Sequence, residues 1–107
     1  MSDMFVKAAA AKDVAEGALL SLNIDDTAIA LTRLNGVVRA FGDICTHDDG
    51  PLADGEIAAG CVICPRHGAR FDLITGKATF PAVERIPIFA AEERDGMVWV
   101  MIGEQAN

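Results

Sequence analysis

Three cysteines, Cys45, Cys61 and Cys64, and two histidines, His47 and His67, are the thiolate and imidazole donors of this sequence, and all five fall within residues 45–67. They can be parsed in two ways. Cys61-Val-Ile-Cys64 is a C-x-x-C, the spacing of a redox dithiol or of half a zinc site. Alternatively, Cys45-Thr-His47 and Cys64-Pro-Arg-His67 form a C-x-H and a C-x-x-H separated by 16 residues, so that each of two loops supplies one thiolate and one imidazole. Two thiolates and two imidazoles suit a tetrahedral zinc ion. They equally suit a [2Fe-2S] cluster in which the cysteines hold one iron and the histidines the other. Zinc usually draws its ligands from like-paired knuckles, whereas two facing loops can each give a Cys to one iron and a His to the other.

To face each other, the loops must sit at the ends of strands. Short apolar runs recur about every ten residues, and the predicted strands are Met4 to Ala8, Ala18 to Ile24, Ala28 to Leu34, Val37 to Phe41, Glu56 to Ile63, Ala69 to Asp72, Arg85 to Ala90 and Met97 to Ile102. Asn35-Gly36 and Asp95-Gly96 suit tight hairpins whose central residues need positive φ, and Thr75-Gly76 marks another turn. Near the C-terminus, Val98, Val100 and Ile102 face one way, and Trp99 and Met101 the other. Asp13-Val-Ala-Glu16-Gly17 reads as a short helical turn with an Asp cap and a Gly stop. Many short strands without long helical periods predict an all-β antiparallel sandwich or barrel. In an extended strand, positions 61 and 64 point to opposite faces, so Cys61 reads as a packed or partly exposed free thiol outside the site.

The chain has 107 residues, 51% hydrophobic and 23% charged, which predicts one domain over residues 1–107 with its own core. A net charge of -7 and a pI near 4.6 disfavour nucleic acid and anionic lipid surfaces and favour basic protein patches. No apolar run reaches the roughly 20 residues of a membrane span. The opening MSDMFVKAAAAKD lacks a basic segment followed by an apolar one, and the expected location is the cytoplasm. Three cysteines without a secretion signal point to metal binding or free thiols in a reducing compartment.

The segments CTHDDGPL and CPRHGARFDLITG, followed by FPAVERIPI, resemble the two cluster loops and the proline-containing third loop of the Rieske family. The resemblance is strong over residues 41–90 and implies one [2Fe-2S] cluster, with a small cluster-binding subdomain, about residues 43–82, set into a basal β domain. Carried over residue by residue, Cys45 and Cys64 would bind the buried iron and His47 and His67 the outer one. Two ferric ions, two sulfides and two thiolates sum to zero charge, which places such clusters at roughly -150 to +300 mV. The respiratory branch of the family has disulfide cysteines where this chain has Gly50 and Arg66, and a serine and a tyrosine where it has Ala69 and Phe71. Fewer donors near the sulfurs imply a potential low in the range. This pattern resembles the soluble ferredoxins that serve bacterial ring-hydroxylating oxygenases.

All four ligands would come from the protein, so the cluster has no open position for substrate, and no histidine remains for the 2-His-1-carboxylate iron of an oxygenase. The resemblance therefore implies a monomeric one-electron carrier and not an enzyme, with a flavin-containing reductase and a terminal oxygenase as partners. The small Rieske subunit of an assimilatory nitrite reductase and a zinc-stabilised interaction module are the alternative readings. Around the ligands, Leu52 and Phe71 are expected to pack against the loops and Pro81 to shield the cluster. Gly50 and Gly68 are expected to let backbone N–H groups approach the sulfides. Arg66 reads as a counter-charge to the cluster or a partner contact, Asp48 and Asp49 as a docking feature or a solvated loop, and Trp99 as a core residue.

Overall fold

Four two-residue turns fold this chain back on itself, each with both central residues at positive φ: Asp25 and Asp26 (50° and 66°), Asn35 and Gly36 (53° and 83°), Ala59 and Gly60 (52° and 77°), and Asp95 and Gly96 (53° and 77°). This backbone carries the twist that paired strands need, so each turn fixes a hairpin register locally. A computed structural model describes residues 5–46, 50–66, 68–80 and 82–101. The strands are β1 (Val6–Ala10), β2 (Leu20–Ile24), β3 (Thr27–Leu34), β4 (Val37–Gly42), β5 (Glu56–Ala58), β6 (Cys61–Ile63), β7 (Arg70–Asp72), β8 (Ile88–Arg94) and β9 (Met97–Met101). They form an all-β, antiparallel arrangement of a six-stranded sheet in the order β1-β9-β8-β4-β3-β2 and a three-stranded sheet in the order β5-β6-β7.

Two hydrophobic cores share the central strands. Ile29 and Leu31 of β3, Val38 and Ala40 of β4, Phe89, Val98 and Val100 pack on the inner face of the large sheet. The residues that alternate with them on the central strands, Ala30 and Phe41, point the other way into a second core, against Val62, Phe71 and Leu73 of the small sheet and its exit turn. Both faces of β3 and β4 are therefore covered, and the middle of β3, Ile29 to Thr32, is buried without a break. The second core also contains Cys45 and Cys64.

Several sequence expectations shift for identifiable reasons. The single strand expected over Glu56 to Ile63 is two strands, because Ala59-Gly60 turns although Ala has no side chain that favours positive φ. The strand expected from Met4 begins, within the described residues, at Val6 and runs to Ala10, with a bulge between Lys7 and Ala9; pairing with β9 overrides the helix propensity of its alanines. β8 starts three residues later than expected, at Ile88, and continues through the polar residues Glu92 to Arg94, which the Asp95-Gly96 turn aligns with β9.

In place of the helical turn expected at Asp13 to Gly17 there is a 3-10 turn that starts two residues earlier, Ala11–Asp13. Glu16 serves a different purpose there, since its carboxylate accepts the N–H groups of Asn35 (2.6 Å) and Gly36 (3.0 Å) and so caps the β3–β4 hairpin. Arg33 holds this segment down by donating to the carbonyls of Val14 (2.8 Å) and Ala11 (3.1 Å). Trp99 is not a core residue: Val98 and Val100 fill the core, and Trp99 lies half-buried on the other face with the Arg94 guanidinium 4.8 Å above its ring. Ile102, expected on the face of Val98 and Val100, lies outside the described residues.

Candidate metal centre

The same hydrogen bond closes both candidate ligand loops. The backbone N–H of Cys45 donates to the Gly50 carbonyl (2.7 Å), and that of Cys64 to the Ala69 carbonyl (2.8 Å), in each case five residues further on. In the second loop the Gly68 N–H also donates back to the Cys64 carbonyl (3.0 Å), with Gly68 at φ 77°. The Gly68 N–H is thus engaged within its own loop.

The second loop is the β6–β7 connection, so its ends are aligned by strand pairing of Ile63 with Arg70. The first loop joins two different sheets and needs another device. Asp43, only 5% exposed, supplies it. One carboxylate oxygen accepts the Ala53 N–H (2.7 Å) and the other the Ser21 hydroxyl (2.9 Å), so that a single side chain pins both ends of the loop to β2. Sequence reasoning missed this residue; an acidic residue directly after an apolar strand was the only available signal. The Thr46 hydroxyl then donates to the Glu84 carbonyl (2.6 Å), tying the first loop to the segment after β7. That segment runs back along β7, where Arg70 and Thr79 exchange hydrogen bonds of 2.9 Å in both directions.

Cys45 and Cys64 are 0% and 1% exposed and belong to one apolar core with Leu52, Ala69 and Phe71, the packing expected of Leu52 and Phe71. No disulfide engages either cysteine. A buried thiol from each of two loops, set in the same apolar core, fits a shared metal centre that keeps its sulfur ligands away from water. Arg66 crosses over from the second loop: its Nη2 donates to the Cys64 Sγ (3.7 Å), and a Cβ added at Gly50 would overlap its guanidinium. The positions where another branch of the family has a disulfide are thus in contact here as an arginine over a glycine. His47 and His67, with Asp48, Asp49 and Pro81, lie outside the described residues.

The Rieske [2Fe-2S] domain matches residues 4–90 of this chain. The chain belongs to the Rieske [2Fe-2S] family. It is 33% identical over 78 residues to the ferredoxin component of the naphthalene 1,2-dioxygenase system of Pseudomonas putida, covering 73% of this chain and 75% of that protein. To Ferredoxin CarAc of Metapseudomonas resinovorans it is 29% identical, covering 94% and 95%. Its fold superposes with a TM-score of 0.87 on a chain of the complex of reduced oxygenase and oxidized ferredoxin in carbazole 1,9a-dioxygenase, at 28% identity and 96% of both chains. Family membership decides between the two occupants left open by the ligand spacing: the group is a [2Fe-2S] cluster, not zinc.

Cys61 is set apart from the two buried cysteines. It sits on β6 opposite Asp72, half-buried, while Cys64 lies beyond the strand end in the core. Burial pushes its thiol pKa above the ordinary value, the Asp72 carboxylate adds to the rise, and Arg70 opposes it. Since the reactive form is the thiolate, alkylation of the holoprotein is expected only at Cys61, slowly at neutral pH and with a rate that climbs above the range of an ordinary thiol. Rates read by mass spectrometry across pH check this, and fast labelling at neutral pH would contradict it. For Asp43→Ala, loss of two buried acceptors is expected to destabilise the first loop by about 1–3 kcal/mol. The cluster should bleach faster under a chelator, while Asp43→Asn, which keeps an acceptor for Ala53, stays close to the parent.

Proposed function

We propose that this chain is the ferredoxin of a multicomponent ring-hydroxylating oxygenase, taking single electrons from a flavin-containing reductase and delivering them to the terminal oxygenase. The observation that carries the reading is the similarity to the naphthalene dioxygenase ferredoxin component, together with two buried thiols on facing loops. In this reading Cys45 and Cys64 hold the buried iron, His47 and His67 the outer one, and residues 43–82 act as a cluster-binding subdomain carried by the remaining β scaffold. When bound, the [2Fe-2S] cluster supplies reversible one-electron reduction. The chain's own residues bury the sulfur ligands, exclude water through Leu52 and Phe71, and hold the loops at fixed separation.

Delivery requires a partner to come close to the cluster end. Phe80 and Val83, 86% and 85% exposed, flank the third loop on the segment tied to the first loop through Thr46 and Glu84. Large apolar side chains left in water on a small protein suit burial against another protein. Around them the charge differs from the acidic whole, since residues 64–85 hold four of the nine cations, Arg66, Arg70, Lys77 and Arg85, and only two anions, Asp72 and Glu84. Among the described residues, no helix is long and apolar enough to cross a membrane. The state proposed with this function is a cytoplasmic monomer.

Two measurements test the reading. Dithionite titration is expected to consume one electron per chain, with two irons and two sulfides bound, and the reduced protein to be reoxidised by a carbazole- or naphthalene-type terminal oxygenase. Reoxidation by ferricyanide but by neither oxygenase would refute the assigned acceptor. His47→Ala and His67→Ala should each lose the cluster or its characteristic EPR signal, whereas Cys61→Ser keeps both. An unshifted, stable cluster in either histidine variant would remove that histidine from the ligand set.

A further inference from the structure

Two of the contacts of Arg66 belong to different loops. Its Nη2 donates to the Cys64 Sγ at 3.7 Å, on the second loop. Its guanidinium lies over Gly50, on the first, so closely that a Cβ built there would overlap Nη2, Cζ and Nε. The carbonyl of that same Gly50 accepts the Cys45 N–H at 2.7 Å. A long cation therefore lies against one candidate sulfur ligand, in space left by a glycine whose backbone is bonded to the other.

We propose that Arg66 is a positioning residue for the electron, raising the reduction potential of the cluster through its N–H···S bond and its fixed charge, and that Gly50 is the seat that holds it. The inference rests on Cys64 being a cluster ligand. Reduction adds one negative charge to the centre, part of it on the ligand sulfurs. A donor and a cation held at a ligand sulfur stabilise that state more than the oxidised one, and the effect grows because the sulfur lies in an apolar core. Arg66 thereby offsets the loss of donors at Ala69 and Phe71, which are both fully buried and offer only an Ala methyl and a Phe ring there.

The test is a redox titration of the holoprotein followed by EPR, on Arg66→Ala, Gly50→Ala and the double variant. Gly50 is not in the left-handed region, so Ala suits its backbone, and the atoms nearest an added Cβ are at the end of the Arg66 side chain. Arg66→Ala is expected to lower the one-electron reduction equilibrium constant about tenfold, which is 59 mV. Gly50→Ala, with the arginine still present but unseated, should shift the potential in the same direction by a smaller amount. The double variant should shift no further than Arg66→Ala, because both changes remove the same contact. The shift should persist at high salt, where a loosely placed surface charge would be screened.

A change below twofold in Arg66→Ala, fully additive shifts, or disappearance of the shift at high salt would each overturn the proposal. Where Arg66→Ala does not retain its cluster, Gly50→Ala decides alone. Failure of the ligand assignment would look different: Cys64→Ala would retain two irons and two sulfides.

Discussion

The loop-closing hydrogen bond from each cysteine N–H to the carbonyl five residues on is the constraint from which the rest of the site follows. It brings each loop back on itself while leaving the cysteine side chain free to point into the core between the sheets. One such bond contributes only about 0.5–1.5 kcal/mol net. Its effect here is geometric, because it fixes where the sulfur sits relative to the strand that precedes it. Packing then makes the position durable: Cys45 and Cys64 are buried with Phe41, Leu52 and Phe71, and a loop that opened would expose that apolar core to water.

The two loops reach this geometry by different routes. The second connects adjacent antiparallel strands, so the register of β6 with β7 already sets the separation of its ends. The first leaves β4 in the large sheet and returns at β5 in the small one, where no ladder joins its ends. A buried carboxylate, Asp43, does by side-chain hydrogen bonding what strand pairing does for the other loop. An unpaired carboxylate at that depth would be strongly disfavoured, so its two partners keep it buried as much as it keeps the loop closed. The segment after β7 completes the cage by bonding to β7 through Thr79 and to the first loop through the Glu84 carbonyl.

What could be read from the sequence divides along the same line between local and non-local causes. Asn35-Gly36 and Asp95-Gly96 announce their hairpins because their side chains tolerate positive φ, and β3, β4 and β9 follow from them. The candidate ligands could be picked out because C-x-H and C-x-x-H need only counting, and the structure buries the two cysteines of that pattern in one core. Ala59-Gly60 was not, since alanine carries no turn signal and the register of β5 with β6 imposes the conformation from outside. Nor was Asp43, whose partners Ser21 and Ala53 are separated from it by 22 and 10 residues. Glu16 and Trp99 were misplaced for a related reason: the first answers to orphan N–H groups of a distant hairpin, and the second to an arginine on the neighbouring strand.

A carrier faces a conflict between protecting its redox group and exposing it, and this fold separates the two demands along the chain. Protection comes from the large sheet, whose central strands are buried on both faces and cannot give way without disrupting two cores at once. Exposure is concentrated after β7, where Phe80 and Val83 stand in solvent although Ala82 between them is buried and the Ala82 N–H donates to Thr79. That alternation is the argument that the apolar exposure there is built in: a frayed segment would expose Ala82 as well. In the proposed function, anchored backbone with outward apolar side chains would give a partner a rigid surface to cover, so that little ordering would be required on contact and brief encounters could still be specific.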